Sequence, residues 1–225
     1  QRLLIETTAQ GKVCRGIEFT GGGQSWIAHA KCETLLCAGA IGSPQLLQLS
    51  GIGPTKLLQE HQIPVVAELP GVGENLQDHL QLRMAFKVSG VKTLNTMANS
   101  WLGKLKIGLE YALNRSGPMS MAPSQLGLFT RSDPSQKSAN IQYHVQPLSL
   151  NKFGEPLHPF PAFTASVCNL RPSSRGHVRI ASANSTDAPK IAPNYLSTSE
   201  DRKVAADSLA LTRRIVSAPA LRRMR

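Results

Sequence analysis

The chain opens with short runs in which apolar and polar residues alternate, the period expected of half-buried strands. Residues 3–7 and 13–20 read as strands. The triplet Gly21-Gly22-Gly23 supplies the backbone freedom of a tight turn, and residues 24–30 answer as the returning strand of a hairpin. Residues 31–38 are more continuously apolar and predict a further strand, buried in its second half. The period then changes. Ser43 suits an N-cap, Pro44 the first helical position, and Leu46, Leu47 and Leu49 an apolar face. Gly51 suits the left-handed C′ position, and Pro54 prevents continuation. A second short helix is predicted over 54–61 and a strand over 63–68.

Residues 69–79 form a Gly-rich turn with clustered polar groups. Within it, Asp78-His79 reads either as an orienting carboxylate with a base or as a structural hydrogen-bonding pair. No nucleophile stands at a telling spacing, which favours the second. A strand follows at 81–88, then one long helix at 94–114, with Trp101, Leu105, Leu109 and Leu113 on one stripe at i, i+4 spacing. Ser116-Gly117-Pro118 ends it. Residues 124–131, 140–147, 162–170 and 177–181 read as strands without intervening helices, and therefore as an antiparallel layer. A last helix is predicted over 200–217, capped by Ser197 or Ser199, with Arg213 and Arg214 favourable to its dipole. The fold class is α+β.

Composition narrows the function. The 225 residues are 41% hydrophobic and 17% charged, as in a globular chain, and no run of eighteen apolar residues occurs. The formal charge is +11, but Lys and Arg are scattered, and the one dense group is Arg213, Arg214, Arg222, Arg223 and Arg225. Aromatic residues are only 5%, too few for a base-stacking platform, so no nucleic-acid partner is expected. Cys14, Cys32, Cys37 and Cys168 lack zinc or redox spacing and read as free thiols of a reducing compartment. The six histidines form no metal-binding pattern, so no metal is expected. A chain that opens on Gln1 in mid-strand, with no leader pattern, reads as an internal fragment.

The run Gly39–Gly53, G-A-I-G-S-P-Q-L-L-Q-L-S-G-I-G, resembles the second signature of the glucose–methanol–choline (GMC) oxidoreductases. The stretches 54–66 and 69–79, Leu170-Arg171-Pro172 with Ser174-Arg175-Gly176, and Ala192-Pro193-Asn194-Tyr195-Leu196 are similar to further blocks of that family. The likeness is greatest to its choline-dehydrogenase-like alcohol dehydrogenases. The resemblance implies part of an FAD-binding domain over 1–83, an antiparallel-sheet substrate-binding domain over 84–189, and a helix over 190–225 returning to the FAD-binding side. It implies oxidation of a primary alcohol by hydride transfer to FAD. Ala38, Gly39 and Ala40 are the implied cofactor-binding residues, lying against the adenosine side.

For the substrate, Gln125 stands where choline-oxidising relatives resemble Glu-x-Gly-x-Phe, and Tyr143, Phe153, Phe160 and Phe163 are the aromatic candidates. Gln125 and Tyr143 are the implied substrate-binding residues, and a neutral alcohol is expected in place of choline. The family's dinucleotide fingerprint and catalytic His have no counterpart here, and His79, His144 and His177 match no catalytic position. The chain alone is therefore expected to be inactive and to hold FAD weakly at best. A non-catalytic substrate-binding or interaction module lacking flavin is the alternative. The electron acceptor is open. The localisation implied is cytoplasmic, with peripheral membrane association of the parent left open. In the family a further strand separates the first two, so the direct junction Gln10-Gly11 is not expected to be a simple turn.

Overall fold

The computed structural model describes all residues except Pro123, Phe153, Arg223 and Arg225, and the backbone but not the side chain of Arg222. Phe153 and the last arginines of the basic group thus lie outside the described residues. In chain order the strands are β1 (Arg2–Thr8), β2 (Gly11–Gly21), β3 (Gln24–His29), β4 (Ile52–Gly53), β5 (Ala67–Glu68), β6 (Leu82–Lys87), β7 (Leu126–Thr130), β8 (Ile141–Gln146), β9 (Ala162–Asn169), β10 (His177–Arg179) and β11 (Lys190–Ala192). The helices are α1 (Gly39–Leu49), α2 (Thr55–Glu60), α3 (Leu94–Ala98), α4 (Trp101–Asn114), α5 (Ser199–Val216) and α6 (Pro219–Arg222).

The chain folds into two compact units, residues 1–78 with 174–197 and residues 79–173 with 198–225. The boundaries of these units fall at 78/79, 173/174 and 197/198.

In the first unit β1, β2 and β3 form an antiparallel meander. The junction expected to be interrupted is an ordinary tight hairpin. Thr8 pairs with Gly11, whose φ is +122°, and Thr8 Oγ1 donates to the Gly11 carbonyl at 2.8 Å. Residues 31–38 contain no strand, and Leu35 is 75% exposed. Apolar content alone does not make a strand; a paired backbone does, and no described strand is paired with this segment. Helix α1 begins at Gly39, ahead of Ser43, so Pro44 lies inside it. Its end is as expected: Gly51 takes φ +80° after Ser50. Of the strand expected at 63–68, only β5 forms, pairing in parallel with β4.

The second unit is built on an antiparallel sheet in the order β6-β9-β8-β7. Strand β10, expected beside these, pairs with β11 in the first unit, a separate ribbon. The core lies where α5 covers the sheet: Ile141, Tyr143 and Val167 pack with Val204, flanked by Leu211 and Ile215. This apolar stripe is why α5 belongs to the sheet's unit. The N-cap of α5 is Thr198, whose hydroxyl accepts from the Asp201 N–H at 3.2 Å, and not Ser197 or Ser199.

The long helix at 94–114 is divided. Ser100 takes an extended conformation and its hydroxyl accepts from the Gly103 N–H, starting α4 afresh. The apolar stripe of α4 faces outward: Trp101 is 72% exposed and Leu113 78%, and Ile107 is the buried residue of the helix. The α-period was correct, but α4 packs chiefly on α3 and the short 3₁₀ turn at Pro118–Ser120, and neither covers that stripe.

Candidate functional site

In the first unit the features singled out from sequence meet at the start of α1. Ala38 precedes the helix and offers no side-chain cap, so the first-turn N–H groups are not satisfied by a side chain. Ala38, Gly39 and Ala40 are all exposed. Gly39 adopts φ +75°, and a Cβ there would meet nothing within 4 Å, leaving bare backbone accessible from outside. Ala40 also lines a cleft of about 410 Å³ together with Ser43, Pro44, Gly73, Glu74 and Asn75. The turn at 69–79 and the signature helix thus share one surface.

That juxtaposition is held by Gln48, which sequence reasoning missed. Gln48 is fully buried. Its amide donates to the Val72 carbonyl at 3.2 Å and the Val178 carbonyl at 3.0 Å, and its Oε1 accepts from the Ile180 N–H at 2.8 Å. One side chain ties α1 to the 69–79 turn and to β10. Its sequence signal was a polar residue on the apolar side of a short helix, which by itself does not specify a partner. The Gly73 carbonyl accepts from the Val178 N–H at 2.6 Å, and Arg179 pairs with Glu74 at 3.0 Å, completing the seam.

Asp78 accepts a short hydrogen bond from the Tyr195 hydroxyl. That bond to a carboxylate, with some burial and the nearby negative charge, pushes the Tyr195 phenol up to about 12. The sign follows directly. Since the folded value exceeds the unfolded value of about 10, the stabilisation is complete below pH ~10 and is lost as the pH rises through ~12. In a tyrosinate absorbance titration, Tyr195→Phe should remove a component ionising near pH 12. Loss of a component near pH ~10 would show that the bond does not form in solution.

Among the described residues of the second unit, Tyr143, Phe160 and Phe163 do not assemble a cage. Tyr143 is 3% exposed, and its hydroxyl is engaged with Thr212 Oγ1 at 2.9 Å and the Ser208 carbonyl at 3.3 Å. Burial pushes its phenol up. Phe163 stacks on Phe86, with ring centroids 5.4 Å apart. Phe160 stacks on His158 and already has the Lys87 ammonium 4.4 Å from its ring centroid. Gln125 lies just before β7 and is exposed; its N–H donates to the Val145 carbonyl at 3.1 Å. Tyr143, Phe163 and Gln125 do contribute to one cavity, of about 490 Å³, on the α5 side of the sheet.

Sequence reasoning also missed a buried polar cluster. Asn95 donates to the Ser149 and His158 carbonyls, at 3.0 and 2.8 Å, and its Oδ1 accepts from the Ser149 N–H at 2.8 Å. Ser149 Oγ lies 2.9 Å from His158 Nδ1, and His158 Nε2 lies 2.9 Å from Asn151 Oδ1. Ser149 is fully buried, so this Ser–His–Asn series locks α3 to the β8–β9 connection and has no access to a substrate. His79 Nε2 lies 3.3 Å from the Leu170 carbonyl. All four cysteines are free, with Cys32 and Cys37 exposed and Cys168 buried.

The sequence matches GMC oxidoreductase N- and C-terminal domains over residues 1–81 and 172–225, which precede and follow the β6–β9 strands in the sequence. The chain belongs to the GMC oxidoreductase family. It is 40% identical over 215 residues to an oxygen-dependent choline dehydrogenase of Burkholderia cenocepacia, and 40% identical over 222 residues to one of Yersinia pseudotuberculosis. These alignments cover 96% and 98% of this chain but 38% of each relative, so the chain spans well under half the length of these GMC proteins. Its fold is similar to that of pyridoxine 4-oxidase from Mesorbium loti, at TM-score 0.78 and 26% identity, covering all of this chain and 39% of that one. It is also similar to a formate oxidase, at TM-score 0.87 and 21% identity, covering 99% of this chain and 43% of that one. The α+β class with antiparallel sheets is shared with these structures over the matched length.

Proposed function

We propose that the chain is the central portion of an FAD-dependent GMC enzyme that oxidises a primary alcohol. The observation that carries this reading is the pair of family matches over 1–81 and 172–225, with the strands of the four-stranded antiparallel sheet between them in the sequence. FAD, when bound, supplies the hydride acceptor. Ala38, Gly39 and Ala40 are the residues of this chain that would lie against its adenosine side. Their surface fits that role: exposed, free of bulky side chains, and open at Gly39 where a Cβ would otherwise stand. The base that takes the alcohol's proton lies outside this chain in this reading, in keeping with the engagement of His158 in the Asn95 cluster. The isolated chain then holds FAD weakly and is inactive. The free thiols favour a reducing, cytoplasmic setting.

The substrate in this reading is an uncharged primary alcohol, aliphatic or aromatic. A quaternary ammonium ion gains several kcal/mol, as a rough upper figure, from a carboxylate in a low-dielectric pocket, whereas a neutral amide such as Gln125 offers only a dipole. Of the described rings that could receive such a cation, Phe163 stacks on Phe86 and Phe160 already faces Lys87. Of the two substrate residues implied by the family, Gln125 keeps that role; the spent hydroxyl of Tyr143 favours a structural one. A kinetic comparison on the complete enzyme tests this. Neutral alcohols should have higher kcat/KM than choline, and Gln125→Glu should raise kcat/KM for choline about tenfold or more. A wild-type preference for choline would end this reading.

A further inference from the structure

Helix α4 carries its apolar residues on the outside. Trp101, Leu102, Leu105, Leu109 and Leu113 recur at three- and four-residue spacing along one side, and each is more than half exposed. The helix is anchored by its other side: Ile107 is buried, and Gly103 lies so close to Met97 that a Cβ would overlap its carbonyl oxygen. An apolar stripe of this size on the outside marks a surface that binds something. The charges beside it say what. Lys104 and Lys106 precede and follow Leu105, which sets them about 100° to either side of it round the helix, and both are exposed. Over residues 92–122 the exposed cations Lys92, Lys104, Lys106 and Arg115 stand against one acidic residue, Glu110. Glu110 is half-buried, packs over Gly117 and accepts from Ser116 Oγ at 3.5 Å. The outward charge of the helix is therefore positive on both edges of the stripe.

We propose that α4 docks the protein on an anionic lipid surface. The helix lies in the plane of the interface, with Trp101 and the leucines among the upper acyl chains and the two lysines reaching sideways to lipid phosphates. No described helix is long and apolar enough to cross a membrane, so the contact is with the surface alone. A second copy pressed against the same face would bring like charges together at the edges of the stripe, whereas an anionic bilayer receives both lysines.

Co-sedimentation of the complete protein with phosphatidylcholine vesicles, with and without phosphatidylglycerol at about 25 mol%, tests this. The protein should partition onto the anionic vesicles about tenfold or more above the neutral ones, and added salt should narrow the difference. Lys104→Gln/Lys106→Gln should weaken binding to the anionic vesicles about tenfold and leave binding to the neutral ones unchanged. Leu105→Ser/Leu109→Ser should weaken binding to both about tenfold or more. Both double variants change exposed side chains only. Wild-type protein that stays in the supernatant with anionic vesicles overturns the proposal, and so does equal sedimentation of the wild type and both variants. Self-association that the leucine variant abolishes, without vesicle binding, would assign the stripe to a second copy and overturn it as well.

Discussion

Replacing Gln48 by Leu should destabilise the first unit by about 3 kcal/mol although the volume is nearly conserved. Gln48 is fully buried and satisfies three backbone groups at once: the carbonyls of Val72 and Val178 and the N–H of Ile180. Leu recovers apolar contact but leaves these groups buried without their amide partner, and each orphan costs about 1–3 kcal/mol. The expected loss is a large share of the total stability of a chain this size. Hydrogen exchange at the Ile180 amide reports it directly and should accelerate about 100-fold under native conditions. Gln48→Glu should not rescue, because it restores the acceptor for Ile180 but sets oxygen against two carbonyls. Wild-type protection in Gln48→Leu, or in Gln48→Glu, would mean that this clamp does not organise the signature helix.

Gly73→Ala should be at least as damaging, at about 4 kcal/mol. Gly73 adopts φ +85°, and a Cβ there would lie 2.1 Å from the Val178 carbonyl oxygen and 2.4 Å from Gln48 Nε2. The first contact is with backbone and cannot swing aside. The second would dislodge the same clamp, so the Gln48→Leu/Gly73→Ala double variant should cost less than the sum of the two. Gly71→Ala is the matched control: a Cβ there meets nothing within 4 Å, and its effect should stay within about 0.5 kcal/mol. Chemical denaturation of the three variants checks this. Equal stability of Gly73→Ala and Gly71→Ala would contradict the close approach of β10 to the 69–79 turn.

Local chemistry made part of this architecture legible in the sequence. The Gly22-Gly23 turn, with φ +60° and +78°, closes the hairpin that its composition predicts. The end of α1 at Gly51 and the paired strands of the second unit follow from glycine placement and a two-residue period in the same way. What depended on partners was not legible. Residues 31–38 have the composition of a strand but no paired neighbour. The stripe from Trp101 to Leu113 has the right period for a helix, but periodicity does not say that anything covers it. Strand β10 alternates like its neighbours in sequence, and only the long-range pairing with β11 and the Gln48 clamp place it in the other unit.

The candidate site divides along the same line. Ala38, Gly39 and Ala40 come from the family resemblance, and in the fold they stand exposed together at the start of α1. The aromatic character of Tyr143 suits a pocket, and the residue does line the cavity on the α5 side of the sheet. In the fold its neighbours are Ser208 and Thr212, more than sixty residues later, which no local pattern announces. Gln48 and Asn95 were missed for the same reason: a buried amide is recognised by the backbone groups it satisfies, and those lie far away in sequence.

If this chain is part of a flavin-dependent alcohol-oxidising GMC enzyme, a primary alcohol must reduce the flavin of the complete protein. Anaerobic mixing of the complete protein, purified with its flavin, with a neutral primary alcohol such as benzyl alcohol tests it most directly, because reduction is read from the flavin's own visible absorbance. Bleaching should track alcohol consumed one-for-one and recover when an electron acceptor is admitted. A complete protein that carries no flavin, or whose flavin stays oxidised with every primary alcohol offered, would contradict it.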